Sequence, residues 1–168
     1  MQGKLCLCLI ILLLFFCSCG YRFSGGEGVL SGKVQSVSVQ IFENKSRWSN
    51  LDVILTNDIV AKLRQSRSVN LIPKKLEYVL SGTIERVRVD TLSRSSDGTP
   101  QEKYVEITLS AYIVDRQDKK IWQTLVTDRE AFFPAQNHAL TLHAQNIAMD
   151  QISERLADRI MNELGQGF

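Results

Sequence analysis

Two chemistries are open to this 168-residue chain, and neither is catalytic. One is acylation of a thiol. Cys19 closes the run Phe16-Cys17-Ser18-Cys19 and stands directly before Gly20. The other is recognition of anionic groups by arginine and lysine, through Arg86, Arg88, Arg94 and Lys103. Arginine suits phosphate because its planar guanidinium presents several donors in a fixed fork. Tyr104, Thr108 and Tyr112 fall at even positions of one strand beside those bases. Tyrosine there adds contact area with a polar tip.

The thiol gains its meaning from what precedes it. Lys4 leads into an apolar run from Leu5 to Phe16, and small residues follow. That is the layout of a secretory signal peptide, too short to cross a bilayer as an ordinary helix. Small Ser18 before Cys19 resembles the bacterial lipobox, at which signal peptidase cuts before a lipidated cysteine. Phe16 stands where that box usually carries Leu. Bulky Phe16 also argues against cleavage at Cys17. Residues 1–18 are thus read as a signal peptide and Cys19 as the new N-terminus, carrying covalent N-acyl and S-diacylglycerol lipid. Cys6, Cys8 and Cys17 would leave with the peptide, so no thiol remains to pair. Each buried methylene contributes about 0.8 kcal/mol, so two or more acyl chains anchor a protein stably. No other cofactor is expected.

Catalytic and metal chemistry find no support. His138 and His143 lie five apart, whereas helical ligands of one metal sit three or four apart, and no metal site is expected. No Gly-x-Ser-x-Gly elbow is present. Gly25-Gly26-Glu27-Gly28 lacks the Lys-Ser/Thr that completes a phosphate loop. The chain is read as a non-enzyme. Net charge is +2, about +1 once Lys4 is removed, which gives no nucleic-acid footprint.

The elements that must position these residues are legible as periods. Residues 19–33, rich in glycine and serine, read as a lipidated N-terminus and flexible tether. Residues 34–168 read as one α/β domain. Val37, Val39 and Ile41 alternate with polar residues and predict a half-buried strand. Ser49 or Asn50 caps a helix carrying Leu51, Ile54, Leu55, Ile59 and Leu63. Val69 to Ile72 is a short strand stopped by Pro73. A long strand from Tyr78 to Leu92 and another from Lys103 to Asp115 flank a loop, residues 93–100, with an Asp97-Gly98 turn signal. Val87 and Val89 break the parity of Leu80 and Ile84, which predicts a bulge near Glu85 or Arg86. In the second long strand Val105, Ile107, Leu109, Ala111 and Ile113 share one face. Ile121 to Phe132 returns, with its facing left open. Leu142, Ile147, Ala148, Ile152, Leu156, Ile160 and Leu164 mark a final helix that Gly165 stops.

The sum is an α/β (α+β) two-layer sandwich. A largely antiparallel sheet of four strands, or five with the short one, carries both helices on one face. The other face presents Tyr104, Thr108, Ser110 and Tyr112, with Arg86 and Arg88 on the neighbouring strand. It serves either as a solvated polar face or as a binding surface.

Cys19-Gly20-Tyr21-Arg22-Phe23 resembles the "CGY/W-x-F/L" start of the LptE family of lipopolysaccharide-assembly lipoproteins. The resemblance extends through Phe42-Glu43-Asn44, Tyr78-Val79-Leu80-Ser81-Gly82-Thr83-Ile84, the Trp122 strand and Phe132-Phe133. It implies an outer-membrane lipoprotein on the periplasmic face. It implies pairing with the β-barrel translocon LptD, support of barrel assembly and binding of lipopolysaccharide. A basic residue between the two long strands contacts lipopolysaccharide in that family, and Arg94 matches it here. A second family lysine has Leu142 and His143 at its place. Gly20 is compatible with sorting to the outer membrane. Phe42-Glu43-Asn44-Lys45-Ser46, a helix and then Tyr78-Val79-Leu80-Ser81-Gly82 also resemble the periplasmic domains of curli-secretion pore lipoproteins and related oligomer-forming proteins, which assemble as homo-oligomeric rings.

Overall fold

The computed structural model describes residue 34 and residues 36–66, 70–71 and 77–166. The signal peptide, Cys19, the tether to residue 33, Val69, Ile72 and Pro73 lie outside these.

Strand β1 (Ser36–Val39) leads to β2 (Glu43–Asn44) and helix α1 (Leu51–Gln65). Then come β3 (Asn70–Leu71), β4 (Val79–Arg94), β5 (Pro100–Val114) and β6 (Lys120–Phe132). Helix α2 (His138–Gln166) closes the chain and runs past Gly165, which does not stop it. The sheet order is β3-β1-β4-β5-β6, with β2 also paired to β4. The long strands β4, β5 and β6 are antiparallel; β1, β2 and β3 pair parallel. The sheet is therefore mixed, open and two-layered, with the short β3 retained at its edge.

Helix α1 forms because Leu51, Leu55, Ile59 and Leu63 recur every four residues and are all buried. Asp52 in its first turn and Lys62 and Arg64 in its last complement the helix dipole. Asn50 occupies the cap position but makes no side-chain cap. It adopts φ 65°, and its carbonyl accepts the Ile54 N–H. The two helices meet through Ser153, which donates to Asp58 at 2.6 Å, and through Lys62, which bridges Glu154 and Asp158. Burial raises the Asp58 carboxyl above its ordinary range, against the Ser153 hydrogen bond that lowers it.

The strand parities decide which side chains meet the helices. Val105, Ile107, Leu109, Ala111 and Ile113 are all buried, as expected. The β4–β5 register slips between Ile84 and Arg86, so the bulge falls at Glu85. The expected placement of Ile41 is wrong: it is 64% exposed. Val39 pairs with Leu80 and Glu43 with Thr83, so the β1–β2 side holds one more residue than β4 over that span. The extra residue flips the parity and turns Phe42 inward. Phe42 is buried against Gly82, and its N–H donates to Thr56 Oγ1.

Strand β6 resolves the open question of facing: Trp122, Val126 and Phe132 point inward, and Leu125 outward. In α2 the buried stripe runs through Ala148, Ile152, Leu156, Ile160 and Leu164. Leu142 and Ile147 are exposed instead, a correction to the expected stripe. Arg155 already contacts Asp128 and Glu130 of β6. A helix rises about 1.5 Å per residue against about 3.3 Å in a strand, so the first turn of α2, with Leu142, runs past the end of β6. Ile147 lies level with buried Gln145, Ala148 and Met149 but on the opposite side of the helix.

Candidate functional site

The site is built on the outer face of β4 and β5 and on the hairpin that joins them. Cross-strand pairs share a face. Ser81 pairs with Tyr112, Thr83 with Ser110, Arg86 with Thr108, Arg88 with Glu106 and Asp90 with Tyr104. Tyr104, Thr108 and Tyr112 are half-buried on this face, as expected. Lys120 of β6 places its ammonium 4.5 Å from the centre of the Tyr112 ring. Thr127 donates to Thr108 at 3.2 Å.

The basic residues divide. Arg88 pairs with Asp90 at 2.5 Å, whereas Arg86 is exposed and makes no ion pair among the described residues. Acidic residues interleave: Glu106 opposes Arg88 on one side and Arg129 of β6 on the other. The face is thus a ladder of alternating charge rather than a basic patch. Arg129 went unnoticed in the sequence because the facing of its strand was open. Lys103 does not join the group. It pairs with Thr91 and with buried Phe132, on the helix-facing parity of Val105. Its nearness to the loop in sequence misled, because parity, not proximity, decides the face.

Arg94 lies at the last position of β4, not in the loop, because the turn is shorter than expected and spans residues 95–99. That turn is tightly organised. Gly98 adopts φ 83°, a left-handed conformation open to glycine at little cost. Asp97 Oδ1 accepts from the Ser95 hydroxyl and from the Thr99 N–H. These bonds, the Ser95 hydroxyl first, hold the Asp97 carboxyl down at about 2. Ser95 N–H donates to the Thr99 carbonyl, and Gly98 N–H to the Ser95 carbonyl. Arg94 Nη1 donates to the Gly98 carbonyl at 2.9 Å. One edge of the guanidinium thus braces the turn. Arg94 remains exposed, with the rest of its fork available to an anion.

Two of the segments that carried the family resemblance pair with each other. Glu43 and Asn44 lie along Thr83 and Ile84, and Thr83 Oγ1 donates to Glu43 Oε2. Asn44 builds the following turn, accepting from Ser46 N–H and donating to the Trp48 carbonyl. These residues therefore set the geometry under the site rather than contact a ligand.

His138 and His143 are exposed at the start of α2. Leu142, which with His143 holds the place where the resemblance implies a second basic residue, is also exposed. Arg155 and Arg159 meet Asp128 and fasten α2 to β6. Among the described residues no helix is long and apolar enough to cross a membrane.

The model of the LptE family, described as lipopolysaccharide-assembly, matches residues 34–164. No curated protein matches the chain. The fold is similar to that of rare lipoprotein B from Shewanella oneidensis, at TM-score 0.57 and 15% identity, covering 77% of this chain and 92% of that one. It is similar to lipoprotein B from Nitrosomonas europaea, at TM-score 0.55 and 14% identity, covering 87% and 90%. It is also similar to the PelC dodecamer from Paraburkholderia phytofirmans, at TM-score 0.52 and 15% identity, covering 80% and 89%. At these identities the three structures speak for the fold alone.

Proposed function

The chain belongs to the LptE family of lipopolysaccharide-assembly proteins, and on that premise we propose that it is a lipid-anchored assembly factor of the outer membrane. It pairs with an LptD-type β-barrel, supports that barrel's assembly and helps deliver lipopolysaccharide to the outer leaflet. The family is one of assembly factors rather than enzymes. The observation that supports this reading best is the family match over residues 34–164, which takes in α1, all of the long strands and all but the last two residues of α2. The exposed Arg94 at the end of the β4–β5 hairpin gives it a chemical focus, since its free donors suit a lipopolysaccharide phosphate.

The anchor is Cys19, with residues up to 33 as the tether. Cys19→Ala is expected to abolish acylation and leave a precursor uncut at Ser18-Cys19. Mass spectrometry of the wild-type N-terminus is the check. A cleaved but unlipidated terminus would remove the anchor from the account.

The ligand role is tested at Arg94. A hydrogen bond to a charged group contributes about 1.5–3 kcal/mol, so Arg94→Asp should weaken lipopolysaccharide binding roughly ten- to a hundredfold. The fold should survive, because Asp97, Ser95 and Thr99 still hold the turn. Wild-type affinity in the purified variant would take Arg94 out of the site. A wild-type protein that binds no lipopolysaccharide would leave the partner role alone.

A second reading, assembly into a homo-oligomeric envelope ring, draws on the likeness of fold to the PelC dodecamer. It differs in a measurable way, since a ring needs no barrel partner.

A further inference from the structure

The two outer edges of the long three-stranded part of the sheet are finished differently. On β6, α2 closes part of the edge. Arg159 donates to the Thr127 carbonyl at 2.7 Å and Arg155 to the Arg129 carbonyl at 3.2 Å, while both hold Asp128. Such devices keep an edge strand from pairing with another chain.

On β4 the corresponding edge is paired only in its lower half. Ser38 and Gln40 donate to the Tyr78 and Leu80 carbonyls, and Lys45 donates to the Ile84 carbonyl. Beyond Ile84 the column formed by β1 and β2 ends, yet β4 continues for ten residues more, to Arg94. Its backbone directions there follow from the register. Ile84 pairs with Leu109, Val87 with Ile107 and Val89 with Val105. The β5–β6 ladder runs through Leu109, Ile107 and Val105 without a shift, so these three β5 residues keep one orientation. Val87 and Val89 therefore turn their N–H and C=O groups away from β5, as Ile84 does. Among the described residues nothing pairs with them. Thr91 differs, because its N–H is taken by Asp90 Oδ1 at 2.8 Å. The free stretch is thus bounded by the Glu85 bulge below and by Asp90 above.

Its two faces specify what would fit. Val87 and Val89 are half-buried and pack against the core, leaving an apolar shelf beside the open backbone. On the opposite face stand Arg86, without an ion pair among the described residues, and Arg88, paired with Asp90. An extended segment with apolar residues at alternate positions and acidic residues between them matches both faces. It would continue the column that β1 and β2 begin, gaining main-chain bonds for affinity and side-chain pockets for specificity.

We propose that the free edge of β4 at Val87–Val89 receives one extended loop segment of the barrel partner as an added strand. This rests on the barrel pairing proposed above, and its test separates the two. Val89→Pro removes the outward N–H but no bond to β5, since the Val89 N–H points away from that strand. Val89→Ile keeps the backbone and the shelf. Each full-length lipoprotein is captured from detergent-solubilised envelope and the co-purified barrel is measured. Val89→Pro is expected to lower barrel recovery tenfold or more with the domain still folded by circular dichroism, and Val89→Ile to leave it unchanged.

A second measurement guards against a misfolded proline variant. No cysteine occurs in residues 34–168, so Leu92→Cys, 53% exposed just above the free edge, offers a single thiol there for a photo-crosslinker. Gln123→Cys does the same on the β6 edge. Crosslinking to the barrel from position 92 and not from 123 supports the proposal. It is overturned by wild-type barrel recovery in a folded Val89→Pro protein, by crosslinking from 123 alone, or by a self-linked dimer from 92. A wild-type protein that captures no barrel overturns the pairing itself.

Discussion

Leu109→Asp is expected to unfold the domain. Leu109 is 0% exposed, in the middle of β5, with Ile84 opposite on β4 and Val126 opposite on β6. Among the described residues no basic side chain is buried around it. A carboxylate there either stays charged and unpaired or takes up a proton, and the loss is several kcal/mol in addition to the lost packing. A domain whose whole stability is about 5–15 kcal/mol does not withstand that comfortably. Thr108→Asp, one residue away, points to the outer face beside Arg86, which makes no other ion pair among the described residues. Its effect should lie within about 1 kcal/mol. Thermal melts of the two variants decide the matter. Equal melting temperatures would contradict the strand parity on which the whole outer face depends.

The second large effect is at Gly82. A Cβ there would lie 2.2 Å from the Ser110 carbonyl oxygen and 2.3 Å from Phe42 Cε1. One neighbour is backbone of the central strand and the other a fully buried ring, so neither yields cheaply. Gly82→Ala should cost about 1–3 kcal/mol, at the upper end, because β4 must move off β5. Phe42→Leu in the same chain should recover only part of the loss. It removes the ring clash, leaves the carbonyl clash and adds a cavity. Chemical denaturation of the single and double variants gives the coupling directly. A Gly82→Ala protein as stable as wild type would show that β4 and Phe42 are not packed as described.

Much of this fold could be read from periodicity, and the exceptions have physical causes. The alternation in β5 is regular because that strand is central and one of its faces is wholly buried. The bulge at Glu85 was visible as a change of parity between Ile84 and Val87. Strand β6 resisted because its inward face is not uniformly apolar. Asp128 and Glu130 lie on it, and arginines from α2 meet them there. No local pattern announces a charge whose partner is 27 residues away. Ile41 was misplaced because an extra residue in the β1–β2 column is visible only once the pairing with β4 is known. Ile147 stands beside Ala148, about 100° round the helix, and so falls off the buried stripe, whereas Leu142 keeps close to the helical period. The period says which residues share a face, not whether a strand lies beneath it.

The candidate site was legible in composition and less so in geometry. Arg86, Arg88, Tyr104, Thr108 and Tyr112 do share the outer face. Lys103 belongs to the other, and Arg94 braces a turn as well as facing solvent. Even spacing within a strand was a sound guide, and nearness to a loop was not. The acidic residues between the arginines were equally present in the sequence. Their effect emerged only when register set Glu106 between Arg88 and Arg129.

The central claim is that this protein works as the lipid-anchored partner of an envelope β-barrel. Its most direct test is capture of the wild-type lipoprotein from detergent-solubilised envelope, with mass spectrometry of the recovered complex. The account predicts one large β-barrel protein in equal amount with the lipoprotein. A homo-oligomer free of any barrel, or the lipoprotein alone, would contradict it.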